Sequence, residues 1–108
     1  MNLNQLIKII ISALEDIKAN DIEILDVTKR AIIFDRMIIA SAVSTRQARA
    51  IANNVNDKVK ESGGMSYGTE GEGAGEWVLV DLGDVLVHIM LPAVRTHYDL
   101  EGLWSELE

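Results

Sequence analysis

The sequence has no cysteine and a single proline. Without cysteine there is neither a disulfide framework nor a thiolate metal site, and a reducing, cytoplasmic setting is the expected one. Long apolar runs are missing as well. "LIKIII" is short and broken by Lys8, well below the roughly 18 residues a membrane-spanning helix needs. The N-terminus lacks the basic region, apolar core and small-residue cleavage site of a signal peptide, so no leader is expected. The most informative absence is positive charge. Seventeen acids against ten bases give a net charge of −7, and the bases stop early: the 34 residues from Glu61 to Val94 hold no Lys or Arg. Glu61, Glu70, Glu72, Glu76, Asp81 and Asp84 all fall within that stretch. Nucleic-acid phosphates repel such a surface, so direct nucleic-acid binding is not expected, whereas a basic partner would be drawn to it.

What is present describes one globular domain over residues 1–108, with 48% apolar and 25% charged residues, enough for a modest core. Leu3, Leu6, Ile7, Ile10, Leu14 and Ile17 recur at helical spacing from Asn2 to about Lys18, and Asn2 with Gln5 has the spacing of a reciprocal cap. "DIEILDV" (Asp21–Val27) and "AIIFDRMIIA" (Ala31–Ala40) read as strands, joined through Thr28-Lys29-Arg30 and interrupted at Asp35 by a bulge or a protruding end. Ser44 and Gln47 open a second helix carrying Ala48, Ile51, Ala52, Val55 and Val59, which Gly63-Gly64 closes. In "MSYGTEGEGAG", Met65–Tyr67 is a candidate short strand and the remainder a loop. After Pro92, two short helical turns broken near Asp99–Gly102 are expected, with Val94, Tyr98, Leu100, Leu103 and Trp104 packing back on a sheet. The order α-β-β-α-β-β-β-α predicts an α/β protein of the α+β type, a mixed sheet of about five strands flanked by helices.

The stretch "EWVLVDLGDVLVHIM" (residues 76–90) holds the candidate site. With Leu82-Gly83 as a two-residue loop, Asp81 pairs with Asp84, Val80 with Val85, Leu79 with Leu86, Val78 with Val87 and Trp77 with His88. Alternation then puts Val78, Val80, Val85, Val87 and Ile89 on a core face. Trp77, Leu79, Leu86, His88 and Met90 share the other face, with the two aspartates near the tip. That second face is too apolar to be left to water; the protein's own helices, a second copy or a partner must cover it. Leu82 at a turn tip and Trp77, ringed by acids, have the make-up of a protein-binding hot spot with a polar rim.

Four colinear blocks, "ALEDIKANDIEILDV", "MIIASAVSTRQARAIA", "GEWVLVDLGDVLVHIM" and "HYDLEGLW", resemble the ribosome silencing factor family, also called RsfS or Iojap-related. The resemblance runs from Leu14 to Trp104, and Trp77 to Asp84 followed by Val87-His88 is its most specific piece. It implies a fold related to nucleotidyltransferases but without their catalytic equipment. It implies binding to protein fourteen of the large ribosomal subunit, which blocks subunit joining and lowers translation when nutrients are short. It also implies a homodimer when free. Trp77 and Leu82 match the family's contact motif, with Asp81, Gly83 and Asp84 around them. The sequence departs from the family at Arg30–Asp35, where a Ser-Ser-Ile-Thr-Asp-like segment is usual, and at Ala42, where glycine is usual.

An enzyme is the competing class. "GTEGEGAGE" is rich in glycine, but it has no lysine and three glutamates that would repel phosphate. Asp81 and Asp84 have no third carboxylate spaced to complete an Mg²⁺ site, so no catalysis and no cofactor are expected. His88, His97 and Asp84 are too few and too spread for zinc; a strand histidine beside Trp77 reads as structural.

Overall fold

Helix α1 (Leu3–Asp16) begins as its sequence predicts. Asn2 Oδ1 accepts from the Gln5 N–H at 2.8 Å, and Gln5 Oε1 accepts from the Asn2 N–H at 2.9 Å, so both N–H groups at the helix start are satisfied. Leu6, Ile10, Ala13 and Leu14 are its buried stripe. Helix α2 (Thr45–Glu61) is capped by Ser44, whose Oγ accepts from the Gln47 N–H at 3.1 Å. Here the return bond differs from a reciprocal cap: Gln47 Oε1 accepts from the Val43 N–H, one residue earlier, at 2.6 Å. The helix ends at Ser62, with Gly63 at φ +90° just beyond, a conformation glycine adopts at little cost. The computed structural model describes residues 1–28 and 34–106, with side chains through Leu103.

Five strands, β1 (Asn20–Asp26), β2 (Arg36–Ser41), β3 (Gly68–Glu70), β4 (Trp77–Asp81) and β5 (Val85–Met90), form one sheet in the order β1-β2-β5-β4-β3. Among the described strand pairs, β2–β5 alone is parallel. The sheet is therefore mixed, as the alternation of elements predicts. Ile38 and Ala40 of β2, Val78 and Val80 of β4, and Val85, Val87 and Ile89 of β5 are fully buried with the stripes of α1 and α2. Nearly continuous apolar strands at the sheet centre are what burial on both faces demands.

The opposite face is covered at one end by the chain itself. Val94 of α3 (Pro92–Tyr98) and Leu100 of α4 (Leu100–Glu106) pack on Val27, Met37, Ile39 and Met90. The expected break between two short helices falls at Asp99, which sits at φ +45° and caps α4 by accepting from the Gly102 N–H at 3.2 Å. Arg95 clasps these helices to the sheet: Nε donates to Glu101 at 3.0 Å, Nη1 donates to Ser41 Oγ at 2.8 Å, and Nη2 lies 3.9 Å from Glu23. Replacing Arg95 with Met should loosen α3 and α4 alone, because it strands the half-buried Glu101 carboxylate. Amide exchange should show local opening made easier by about 1–3 kcal/mol in residues 92–103, with β2 and β5 unchanged.

Two strand expectations need correction. The third strand is Gly68–Glu70 rather than Met65–Tyr67, because Gly68 pairs with Asp81 and Thr69 with Val80. The second runs Arg36–Ser41, with Phe34 and Asp35 of the expected Ala31–Ala40 run outside it. Asp35 stands at its threshold, where the Asp84 carbonyl accepts from its N–H at 2.7 Å and from the Arg36 N–H at 3.1 Å. Lys29 and Arg30 of the expected connection, Ala31–Ile33, and the side chain of Trp104 lie outside the described residues.

Candidate protein-docking site

The β4–β5 hairpin is offset by two residues from its expected register. Trp77 pairs with Met90, Leu79 with His88 and Asp81 with Leu86, and the Leu82 N–H donates to the Val85 carbonyl at 3.0 Å. The loop is therefore Gly83-Asp84, not Leu82-Gly83. Backbone chemistry explains the choice. Gly83 sits at φ +86°, and a two-residue hairpin loop with positive φ at its first position favours glycine there. Leucine in that place would be strained. Asp81 Oδ1 accepts from the Gly83 N–H at 2.9 Å and so fixes the turn from its other side. The hairpin end is tied to β2 as well, since the Asp84 carbonyl accepts from both the Asp35 and Arg36 N–H groups.

A two-residue offset preserves alternation, so the valine face and the Trp/Leu/Met face are those expected. It changes the standing of Leu82. One pair further from the tip than the expected register allows, Leu82 falls in line with Val78 and Val80. It is 4% exposed and part of the main core. The expectation of a leucine presented at a turn tip is thus corrected: this side chain points inward. Gly83 is partly exposed with the Tyr67 ring lying over it, and a Cβ there would approach Tyr67 Cε2 to 2.8 Å. Asp81 is partly exposed and Asp84 exposed.

Trp77 opens β4 at the border of the second face, half-buried. Its indole N–H donates to His88 Nδ1 at 2.9 Å, and its ring lies 4.8 Å from that of Tyr98, which is itself 54% exposed. His88 is 6% exposed. Burial lowers its pKa from 6.5 to about 4, because a charged imidazolium loses hydration there. With Nδ1 accepting from Trp77, the neutral ring carries its proton on Nε2, and Nε2 is buried without a protein partner. The histidine is thus engaged at the lone pair a metal would use. Among the described residues no group of three or more His, Cys, Asp or Glu side chains is arranged to hold a metal ion.

Away from α3 and α4 the second face stays partly open. Leu79 and Leu86 are half-buried and lie diagonally across β4 and β5, Phe34 is half-buried against the cluster of Val27, Met37, Ile39 and Met90, and the exposed Glu70 pairs with Leu79 from the β3 edge. The sheet thus presents an apolar strip flanked by Glu70, Asp81 and Asp84. The glycine-rich loop next to it serves packing. Gly71 lies at φ +85°, where a Cβ would meet the Trp77 carbonyl at 2.1 Å, so only glycine allows this approach. Sequence reasoning placed Trp77 and His88 on one face but missed their hydrogen bond and the Tyr98 cover. The alternation already held the first signal, since residues on one face of adjacent strands reach one another diagonally.

The family model described as "Ribosomal silencing factor during starvation" matches residues 1–108. The chain is 54% identical over 105 residues to the ribosomal silencing factor RsfS of Chromobacterium violaceum, covering 97% of this chain and 86% of the relative. A crystal structure of a protein from Chromobacterium violaceum superposes with a TM-score of 0.95 at 53% identity, covering 97% of this chain and 88% of that one. One from Bacillus halodurans gives 0.84 at 33% identity, covering 94% of each. No helix among the described residues is long and apolar enough to cross a membrane. With its whole length matched and both sequence and fold shared so fully, the chain belongs to the ribosomal silencing factor (RsfS) family.

Proposed function

We propose that this protein silences translation as a steric block: it docks on protein fourteen of the large ribosomal subunit and keeps the small subunit from joining when nutrients are short. It acts in the cytoplasm as a binding protein, not an enzyme, and free copies pair as a homodimer. The observation that carries the reading is the partly open apolar strip of Trp77, Leu79 and Leu86, edged by Asp81 and Asp84 in a stretch without bases. Apolar anchors within a charged rim suit a partner whose surface is basic and whose anchor-binding patch is dry. Trp77 supplies affinity, Asp81 and Asp84 with the Gly83 turn supply steering and fit, and the buried Leu82 holds the hairpin end in place from beneath.

The test is co-sedimentation with purified large subunits. Trp77→Ala should weaken binding by about 2 kcal/mol or more, roughly thirtyfold, while the fold stays intact. Association of the unaltered protein should slow as salt is added. Unchanged binding by Trp77→Ala would remove this face from the interface, and a salt-independent on-rate would remove the electrostatic steering.

A further inference from the structure

Trp77 is half at the surface, yet its one polar hydrogen is spent inside the fold, on a histidine that is 6% exposed. That histidine has no freedom to follow. It lies in the middle of three paired strands, with Leu79 beside it on β4 and Ile39 on β2, and its ring sits 5.8 Å from the indole. A half-buried indole N–H seeks an acceptor; with none inside, the ring would turn to offer that hydrogen to water or to a partner's carbonyl.

We propose that His88 is a positioning residue for the docking face: by accepting the Trp77 N–H at Nδ1 it sets the indole's orientation and leaves only ring carbon for the partner. The inference rests on the reading of Trp77 as a partner contact and deepens it. The group that meets Trp77 is then apolar, such as the aliphatic stem of a lysine or arginine whose charge reaches the acidic rim, and not a hydrogen-bond acceptor. The partly buried indole keeps the same pose whether or not the partner is present, so little orientational freedom is lost on binding.

The experiment is a double-mutant cycle on large-subunit affinity, with Trp104→Phe throughout so that Trp77 is the one indole followed. His88→Leu fills the space but removes the acceptor; His88→Asn places Oδ1 where Nδ1 stood; Trp77→Phe removes the N–H and keeps an aromatic ring. His88→Leu should weaken binding by about tenfold with Trp77 present and hardly at all with Phe at that position, and His88→Asn should recover most of the loss. The Trp77 indole N–H resonance should exchange slowly in the parent and in His88→Asn, and fast in His88→Leu. An equal loss in both backgrounds, or no rescue by asparagine, assigns His88 to packing alone and overturns the proposal. Should His88→Leu not fold, the parent decides: indole N–H exchange as fast as in a free indole also overturns it. If Trp77→Ala leaves affinity unchanged, the docking reading fails by itself, and the indole exchange still reports whether His88 sets the ring.

Discussion

Leu82→Ala lowers folding stability by about 2–4 kcal/mol, the cost of truncating a core leucine that leaves a cavity. The basis is 4% exposure within the cluster that holds Val78, Val80 and Val85. Leu82 also lines a surface hollow with Leu3, Leu6 and Tyr67, so the site can relax somewhat, which favours the lower half of that range. Urea unfolding should show an earlier midpoint with an unchanged slope. A leucine presented to solvent would give a change within about 0.5 kcal/mol, so the measurement separates the two positions cleanly. Any loss of subunit binding in this variant has to be read at temperatures where it is still folded, since a displaced hairpin end carries Asp81, Gly83 and Asp84 with it.

Acid destabilises the fold through His88. In the unfolded chain its imidazole titrates at 6.5, while in the folded protein burial lowers this to about 4. Between these values the unfolded state takes up a proton that the folded state refuses, so stability is complete above pH 6.5 and is lost as pH falls towards 4. The slope approaches about 1.4 kcal/mol per pH unit and the total is on the order of 3 kcal/mol. Protonation at Nδ1 would also remove the acceptor for the Trp77 N–H. Urea titrations at pH 7, 5.5 and 4.5 on the parent and on His88→Leu isolate this contribution from the carboxylates, which both share. The difference between the two should grow in favour of the variant as pH falls, and parallel curves would contradict a buried neutral histidine.

Both expectations rest on features the sequence revealed in unequal measure. The stripes of α1 and α2 were legible because a 3.6-residue period and a side-chain cap at Asn2 or Ser44 are local signals. The two hairpin faces were legible for the same reason, with period two. Register was not, since a two-residue shift leaves alternation untouched, and the deciding term is the φ that Gly83 can adopt and Leu82 cannot. Reading Gly83-Asp84 as the loop would have placed Leu82 inside. Strand β3 was legible only as a nearby possibility, because its three residues owe their conformation to pairing with β4 and not to propensity. The Arg95 clasp reaches Ser41 and Glu23, far back in the chain, as well as the nearby Glu101, and no local pattern announces the two distant contacts.

The sheet order β1-β2-β5-β4-β3 places β5 in the middle although it is the last of the described strands in chain order. Its neighbour β2 is pinned to it in parallel across the whole of α2, β3 and β4. Until Val85–Met90 has emerged and docked, β2 has one bare edge and α2 lacks much of the surface it covers. Such non-local pairing implies slower folding than in a helical bundle of equal length. Nascent chains halted before β5 would expose unpaired strand edges, the form most prone to aggregate or to engage chaperones. For this fold, adding β5 and closing the core are nearly the same event.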